Sequence, residues 1–287
     1  MSIIAFWSNE KKETAQTLSL VALTTYMAIE HNYRILNIST SFNDKTLEEA
    51  FWNAEREKML AQTIAGRSNF EFETGVEGLI KIINSNKTSS SIVANYAKVV
   101  FKDRLDVLCS PLSKSYEEYV KTASEYPNII EMANRDYDLV FVDISKKMPA
   151  ELQKQILEKA DVIVYNLGQK LTSLQNLEEL RNKNTFFKKR NIIFNIGKYD
   201  KFSKYNTKNI TRVLKQNKEI ACVPYNTLYF DSTTEGKAAE FFLKIRGLDK
   251  KKSTFMASVD RNESFAKEVA RFSQLIIYKL EELKMNL

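Results

Sequence analysis

The residue types that most often carry out catalysis or bind metals are scarce in this sequence. It has 287 residues with one histidine, His31, and two cysteines, Cys109 and Cys222. Both cysteines lie in apolar runs, which is typical of buried thiols in a reducing compartment. A zinc site, or a centre of the Cys–His or Ser–His–Asp type, needs several such residues together, and nothing near His31 supplies them. We therefore expect neither kind of site.

Positive charge beside aromatic rings is the second chemical feature. The net charge is +7, and such a surface can attract nucleic acid, an acidic partner or a membrane. Residues 181–218 are rich in lysine, which suits a nucleic-acid surface when rings are interleaved. The rings of this stretch are Phe186, Phe187, Tyr199, Phe202 and Tyr205. Alternatively, they pack beneath a loop while the lysines are merely solvated.

Short apolar runs alternate with longer amphipathic stretches along the chain. The runs predict strands at 2–7, 34–38, 105–109, 139–144, 162–166, 191–196 and 220–223. Helices are predicted at 14–30, 46–63, 75–84, 116–134, 150–159, 171–181, 234–245 and 262–284. A strand–helix–strand order implies parallel strands with right-handed crossovers. We expect an α/β fold, a doubly wound, mostly parallel sheet with helices on both faces.

The chain shows no linker or repeat, so we expect a single domain over 1–287. No secretory signal precedes the first strand, and no apolar run approaches 18 residues, so the expected location is the cytoplasm. The predicted last helix carries an apolar stripe at a spacing of three and four residues. The stripe is Phe265, Val269, Phe272, Ile276, Leu280 and Leu283.

Five segments, in this order, resemble the ParA/MinD family of P-loop ATPases, which carry a deviant phosphate-binding loop. Within that family the chain is most similar to the pilus-locus branch, the TadZ/CpaE-like proteins. The segments are GVEGLIKIINSNK leading to RLDVLCSP, YDLVFVDI (137–144), ADVIVYNLGQKLTSLQNLEEL (160–180), NIIFNIGKYD (191–200) and VPYNTLYFDSTTEGKAAEFF (223–242). The resemblance implies a P-loop NTPase fold, ATP and Mg²⁺ as ligands, and a homodimer.

The loop after the first strand departs from the family pattern Lys-Gly-Gly-x-Gly-Lys-Thr. With one residue inserted after Ser8, the matching segment is Lys11-Lys12-Glu13-Thr14-Ala15-Gln16-Thr17. The resemblance assigns Lys11 to the lysine that reaches across the dimer and Thr17 to the Mg²⁺ ligand. All three glycines are replaced, and residues with a Cβ adopt positive φ only at a cost. Gln16 stands where the phosphate-binding lysine would be and lacks its stabilising charge.

The acidic positions of the family are also only partly retained. Its Asp-x-Asp after the second strand corresponds to Ser39-Thr40-Ser41, with Asp44 three positions late. Asp143 matches the acidic residue near the Mg²⁺ water shell, although an aspartate there can also cap a turn. Asn195 matches the base-recognising asparagine, or it only satisfies a strand end. Pro224 is expected to shape the base pocket.

The resemblance thus gives a set of candidate nucleotide-binding residues and no catalytic residue. The set is Lys11, Lys12, Thr14, Gln16, Thr17, Asp143, Asn195 and Pro224, with Thr17 and Asp143 also on the metal. Lys11, Lys12 and Lys146 could partly replace the missing lysine, or be solvated loop charges.

The hypothesis is a positioning, assembly or regulatory partner of a pilus- or secretion-type machine, with little or no ATP hydrolysis. The alternative is a nucleotide-dependent partition ATPase that binds DNA nonspecifically through a basic face. A third is a nucleotide switch that never turns over. MinD-type relatives end in a membrane-targeting helix, but the balanced charge of the last helix here favours docking on the sheet.

Overall fold

An eight-stranded sheet organises the part of the chain that the computed structural model describes, namely residues 1–10, 14–53, 75–85, 92–183, 191–213, 220–248 and 256–285. The strands are β1 (Ser2–Trp7), β2 (Ile35–Ser39), β3 (Lys98–Phe101), β4 (Leu105–Leu108), β5 (Leu139–Asp143), β6 (Val162–Leu167), β7 (Ile192–Tyr199) and β8 (Ala221–Pro224). Their order is β3-β4-β2-β5-β1-β6-β7-β8. The β3–β4 pair is antiparallel and the other pairs are parallel.

Helices connect these strands. They are α1 (Gln16–Glu30), α2 (Thr46–Glu49), α3 (Val76–Asn84), α4 (Ile92–Tyr96), α5 (Tyr116–Ala123), α6 (Tyr126–Asp136), α7 (Ala150–Lys159), α8 (Leu171–Lys183), α9 (Thr207–Val213), α10 (Thr227–Thr234), α11 (Ala238–Leu248) and α12 (Met256–Met285). The predicted doubly wound, mostly parallel sheet is confirmed.

Several boundaries differ from the prediction for local reasons. The predicted helix 116–134 is two helices, and Pro127 lies in the first turn of α6, where a missing N–H does no harm. Gly236, with φ 72°, separates α10 from α11 within the predicted helix 234–245. The predicted helix 46–63 ends at Glu49, and its part from residue 54 onward lies outside the described residues.

The strands bury side chains on both faces, as a doubly wound sheet requires. In β1, Ile4 and Phe6 join a core with α1, α11 and α12, whereas Ile3 and Ala5 join a second core with α3, α6 and α7. Full burial of one such large apolar side chain contributes about 1.5–3 kcal/mol. The central strands are therefore held by a core on each face.

The apolar stripe of the last helix packs into the first of these cores. Phe265, Val269, Phe272, Ile276 and Leu280 are buried there. The ring centroids of Phe272 and Phe6 are 6.2 Å apart. The stripe is therefore buried against the sheet. This favours docking of the last helix on the sheet over its attachment to a membrane. None of the described helices is long and apolar enough to cross a membrane.

Candidate functional site

The loop between β1 and α1 lies at the carboxyl end of the sheet. β1 lies between β5 and β6, and the strand order of the sheet reverses at this point. Open α/β sheets bind ligands at such a point, beyond the carboxyl ends of the strands. Asp143 ends β5 here, in register with Phe6 of β1 and with Ser39 of β2.

The first turn of α1 keeps a backbone conformation that usually requires glycine. Ala15 caps the helix with φ 53° and ψ 35°, in the left-handed region, and no side chain caps that end. For a residue with a Cβ this conformation costs about 1–2 kcal/mol. The turn is therefore formed without a glycine at residue 15.

Gly197 of β7 lets this turn approach the sheet closely. A Cβ at residue 197 would lie 2.3 Å from the Thr14 carbonyl oxygen and 2.9 Å from the Ala15 Cβ. The first of these neighbours is backbone, which cannot move aside cheaply. The position of the loop against β7 thus depends on a glycine that lies outside the loop.

The side chains of Gln16 and Thr17 both bind Asp143. The Gln16 amide Nε2 donates to Asp143 Oδ1 at 2.7 Å and to the Ile144 carbonyl oxygen at 2.9 Å. The Thr17 hydroxyl donates to Asp143 Oδ2 at 2.6 Å. Both carboxylate oxygens of Asp143 are therefore engaged by the first turn of α1.

Asp143 is buried, and this affects its protonation. Burial raises the pKa of Asp143 above its usual value, and the hydrogen bonds from Thr17 and Gln16 oppose that rise. The negative charge of Asp44 raises the pKa of Asp143 further. Asp44 itself accepts hydrogen bonds from the Thr46 backbone N–H at 3.0 Å and from the Thr46 hydroxyl, in the turn that precedes α2.

The residues after β2, which the resemblance matched to an Asp-x-Asp motif, have structural contacts. The Thr40 hydroxyl donates to the Asp143 carbonyl oxygen at 2.9 Å and accepts from the Ser145 N–H at 2.8 Å. The Tyr119 hydroxyl donates to the Thr40 carbonyl oxygen at 2.6 Å, and that of Tyr126 donates to the Ser39 carbonyl oxygen at 2.8 Å. These contacts fix the ends of β2 and β5.

Sequence reasoning missed Glu10, which ties the loop to the end of β6. One carboxylate oxygen of Glu10 accepts from the Gly168 N–H at 2.8 Å, and the other accepts from the Ser173 hydroxyl at 2.7 Å. The partners are about 160 residues away along the chain. No signal in the local sequence marks it, since the loop carries two acidic and two basic residues.

Asn195 and Pro224 lie in different surroundings. Asn195 is buried within β7, where its Nδ2 donates to Asn166 Oδ1 at 2.8 Å. Its Oδ1 is buried without a hydrogen-bond partner among the described residues. Pro224 is half-buried at the end of β8 and lines a small groove with Ala15 and Lys198. Asn195 does not line that groove, so its role in base recognition stays a prediction.

The described loop residues fit a magnesium-bound triphosphate poorly. None of residues 8–10 and 14–17 is cationic, and Lys11 and Lys12 lie outside the described part of the chain. The Gln16 amide and the Thr17 hydroxyl, at the lysine and Mg²⁺ positions, are held by Asp143. One feature does fit, since the hydroxyl of buried Thr14 has no partner among the described residues.

The rings of the basic stretch 181–218 do not all fit one interpretation, either a nucleic-acid surface or packing beneath a loop. Tyr199 and Tyr205 are half-buried, as expected of packing beneath a loop, whereas Phe202 is 86% exposed. Phe186 and Phe187 lie outside the described residues. Packing therefore explains two of these rings and leaves Phe202 unexplained.

Comparisons with known proteins identify the fold. No family model matches the chain, and no curated protein matches it. A ParA family ATPase from Chlorobium tepidum TLS matches with a TM-score of 0.65 and 16% identity, over 95% of this chain and 97% of that one. MinD complexed with Mg-ADP from Pyrococcus horikoshii OT3 gives 0.62 and 13%, over 97% and 98%.

A third structure, the MinC:MinD cell division complex of Aquifex aeolicus, gives a TM-score of 0.55 and 17% identity, over 94% of each chain. At such identities the likeness concerns the fold. The mostly parallel eight-stranded sheet of this chain is the P-loop NTPase fold of the ParA/MinD type.

Proposed function

We propose that the chain is a ParA/MinD-like protein of the TadZ/CpaE-like branch whose nucleotide site is degenerate. It works in the cytoplasm, as one domain over 1–287, as a positioning, assembly or regulatory partner of a pilus- or secretion-type machine. It hydrolyses ATP little or not at all. The observation that carries the proposal is the bond from the neutral Gln16 amide to Asp143, at the place of the phosphate-binding lysine.

The physical argument concerns charge. Phosphoryl transfer needs cationic groups around the transferring phosphate, because catalysis there is mainly positioning and electrostatic stabilisation. An amide carries no charge, and this one already donates two hydrogen bonds to the protein. The sequence also adds a negative charge, Glu13, to the segment that matches the phosphate-binding loop.

In this proposal the chain's own residues maintain the loop. Glu10, Gln16 and Thr17 bind groups of the protein and hold the loop against the sheet. The chain then presents one lasting conformation to its partners, and the resemblance implies a second copy of the chain as one of them. That MinD forms a complex with MinC supports partner binding on this fold.

A partition ATPase that binds DNA is the second candidate, and the exposed Lys201, Lys204 and Lys208 favour it. That function would need nucleotide binding through Lys11 or Lys12. It also predicts a steep fall of DNA affinity with salt, because each neutralised phosphate releases counterions.

Calorimetry with Mg-ATP up to millimolar concentration tests the proposal. We expect no binding by the natural chain, since Gln16 supplies no charge. Binding that weakens in Thr17→Ala would overturn it, because the loop would then hold a nucleotide. Lys154→Ala is the matched control, on α7 away from the loop, and should leave any heat signal unchanged.

A filter-retention assay with duplex DNA separates the second candidate. Retention that depends on ATP and falls steeply with salt would favour the partition ATPase. We expect weak retention that is the same with and without ATP.

A further inference from the structure

Exposed rings and lysines form a patch at the carboxyl end of β7 and β8. We call it the aromatic–lysine patch, and it consists of Phe202, Tyr225, Phe230, Lys198, Lys201 and Lys204. Phe202 is 86% exposed, Tyr225 57% and Phe230 37%. Tyr225 and Phe230 line one small groove together with Lys198, and contiguous exposed apolar groups often mark interaction sites. Aromatic residues are enriched where proteins bind one another.

The backbone beneath the patch is firmly held. The Tyr225 N–H donates to the Tyr199 carbonyl oxygen at 3.0 Å, which joins the two loops. The Gln169 amide donates to the carbonyl oxygens of Asp200 and Tyr205 at 2.8 and 2.9 Å, and accepts from the Asp200 N–H at 2.8 Å. The rings are therefore exposed from an ordered backbone, which reduces the entropy lost on binding.

A bulge in β7 directs Lys198 towards the patch. The register of β7 against β8 shifts between Gly197 and Tyr199, and Lys198 adopts φ 51°. Bulges re-aim side chains and end strand pairing. The Lys198 Nζ lies 5.9 Å from the centroid of the Phe230 ring, on its face.

The charge of the segment 198–212 is one-sided, although the exposed Asp231 follows Phe230 on α10. Between residues 198 and 212 the cations are Lys198, Lys201, Lys204, Lys208 and Arg212, all exposed. Asp200 is the acidic residue of that segment, and its Oδ1 accepts from the Phe202 N–H at 2.9 Å. A partner with carboxylates would gain from this field, and one with ammonium groups would be repelled.

We propose that the aromatic–lysine patch binds an acidic segment of a protein partner, with apolar side chains set among its carboxylates. The carboxylates would pair with Lys201 and Lys204, and the apolar groups would cover Phe202 and Tyr225. The inference rests on the proposed function, since it names the surface by which a chain that does not hydrolyse ATP would bind its partner.

Single-stranded nucleic acid fits the patch less well. Bases bind such surfaces by stacking on open ring faces. Here Lys201 Nζ lies 5.2 Å from the Phe202 centroid and Lys198 Nζ covers Phe230, so both rings already have an ammonium group on one face. Carboxylates can bind those ammonium groups while the rings stay in place.

A library of random 12-residue peptides, selected on the full purified chain, tests the proposal. We expect the selected peptides to be acidic and to contain Leu, Phe or Trp. A parallel selection on the Lys201→Glu/Lys204→Glu variant should lose them. Selected peptides without excess acid, or the same peptides from both selections, would overturn the proposal.

Affinities of one selected peptide, measured by fluorescence polarisation, give the second readout. Phe202→Ala and the double charge reversal should each weaken binding at least about tenfold, as central aromatic and charged contacts do. Tyr278→Ala, an exposed ring on α12, and Lys102→Glu, between β3 and β4, are matched controls and should change affinity less than about twofold. Equal effects from the controls, or tighter binding of oligo-dT than of the peptide, would overturn the proposal.

The two proposals fail in different ways. Mg-ATP binding that Thr17→Ala weakens removes the degenerate-site proposal and leaves the peptide result standing. If the chain binds no ATP and selects no acidic peptide, only the proposal for the aromatic–lysine patch is overturned.

Discussion

The β1–α1 loop and the aromatic–lysine patch lie at the same edge of the sheet, yet they use polar groups in opposite ways. In the loop, Glu10, Gln16 and Thr17 turn inward and bind partners within the protein. In the patch, Lys201 and Phe202 turn outward. The difference teaches that described polar side chains of the loop are engaged within the protein, while side chains at the neighbouring strand ends are open to solvent.

The largest expected effect concerns the closeness of the loop to β7. In Gly197→Ala the new Cβ would lie 2.3 Å from the Thr14 carbonyl oxygen, so the loop must move away. We expect a loss of about 3 kcal/mol in the free energy of unfolding, measured by urea titration. Ala15→Gly, on the other side of the contact, should be neutral or gain up to about 1 kcal/mol, because it relieves positive φ. Unchanged stability of Gly197→Ala would mean that the loop is held less tightly than described.

The next effect concerns the tie between the loop and β6. Glu10→Ala removes the acceptor of the Gly168 N–H and the Ser173 hydroxyl, and it should cost about 2 kcal/mol. Thermal unfolding monitored by circular dichroism measures this. Glu10→Gln keeps a neutral acceptor and should lose less. If both variants match the natural chain, the tie contributes nothing to the closed loop.

A pH series probes the buried carboxyl group. Because the pKa of Asp143 is raised in the folded state, that state holds the proton more tightly than the unfolded chain does. Protonation of Asp143 therefore contributes fully to the stability at low pH. This contribution declines as the pH rises from the usual aspartate pKa through the raised pKa of Asp143. Asp143→Asn should remove this part of the decline, measured by urea unfolding between pH 4 and 8 in EDTA.

Glu158→Gln, on the exposed side of α7, is the control for that series and should keep the natural slope. An Asp143→Asn chain with an unaltered slope would show that Gln16 and Thr17 fully offset the cost of burial.

The smallest effect on stability is expected in the patch. Phe202→Ala removes a ring that is 86% exposed, so the free energy of unfolding should change by less than about 0.5 kcal/mol. A larger loss would mean that the ring supports the fold, and the contrast with the loop would weaken. Urea titration beside the natural chain measures it.

The central part of the fold could be predicted because its signals are local. β1 and β5 are short apolar runs, and each is buried on both faces. The edge strand β3 escaped prediction, since it has only four residues, begins with Lys98 and buries none of its side chains fully. The break between α5 and α6 could have been read from Pro127.

The contacts of the site were predictable only where they form between residues at the ends of neighbouring strands. The parallel order of the strands brings Thr17 to Asp143, while the role of the two residues at a metal stays a prediction. The tie of Glu10 to Ser173 and the approach of Gly197 to Thr14 join residues more than 160 positions apart. Such contacts depend on the packing of whole layers, and the local sequence carries no mark of them.

The position of β1 in the sheet has a consequence for synthesis on the ribosome. β1 lies between β5 and β6, and its Phe6 is paired with Asp143, so 137 residues separate the two partners. At about 5–20 residues per second, the first strand must wait about 7 to 27 s for its neighbour. During that time its apolar residues have no sheet to join, so the nascent chain is a natural client for chaperones that shield hydrophobic segments.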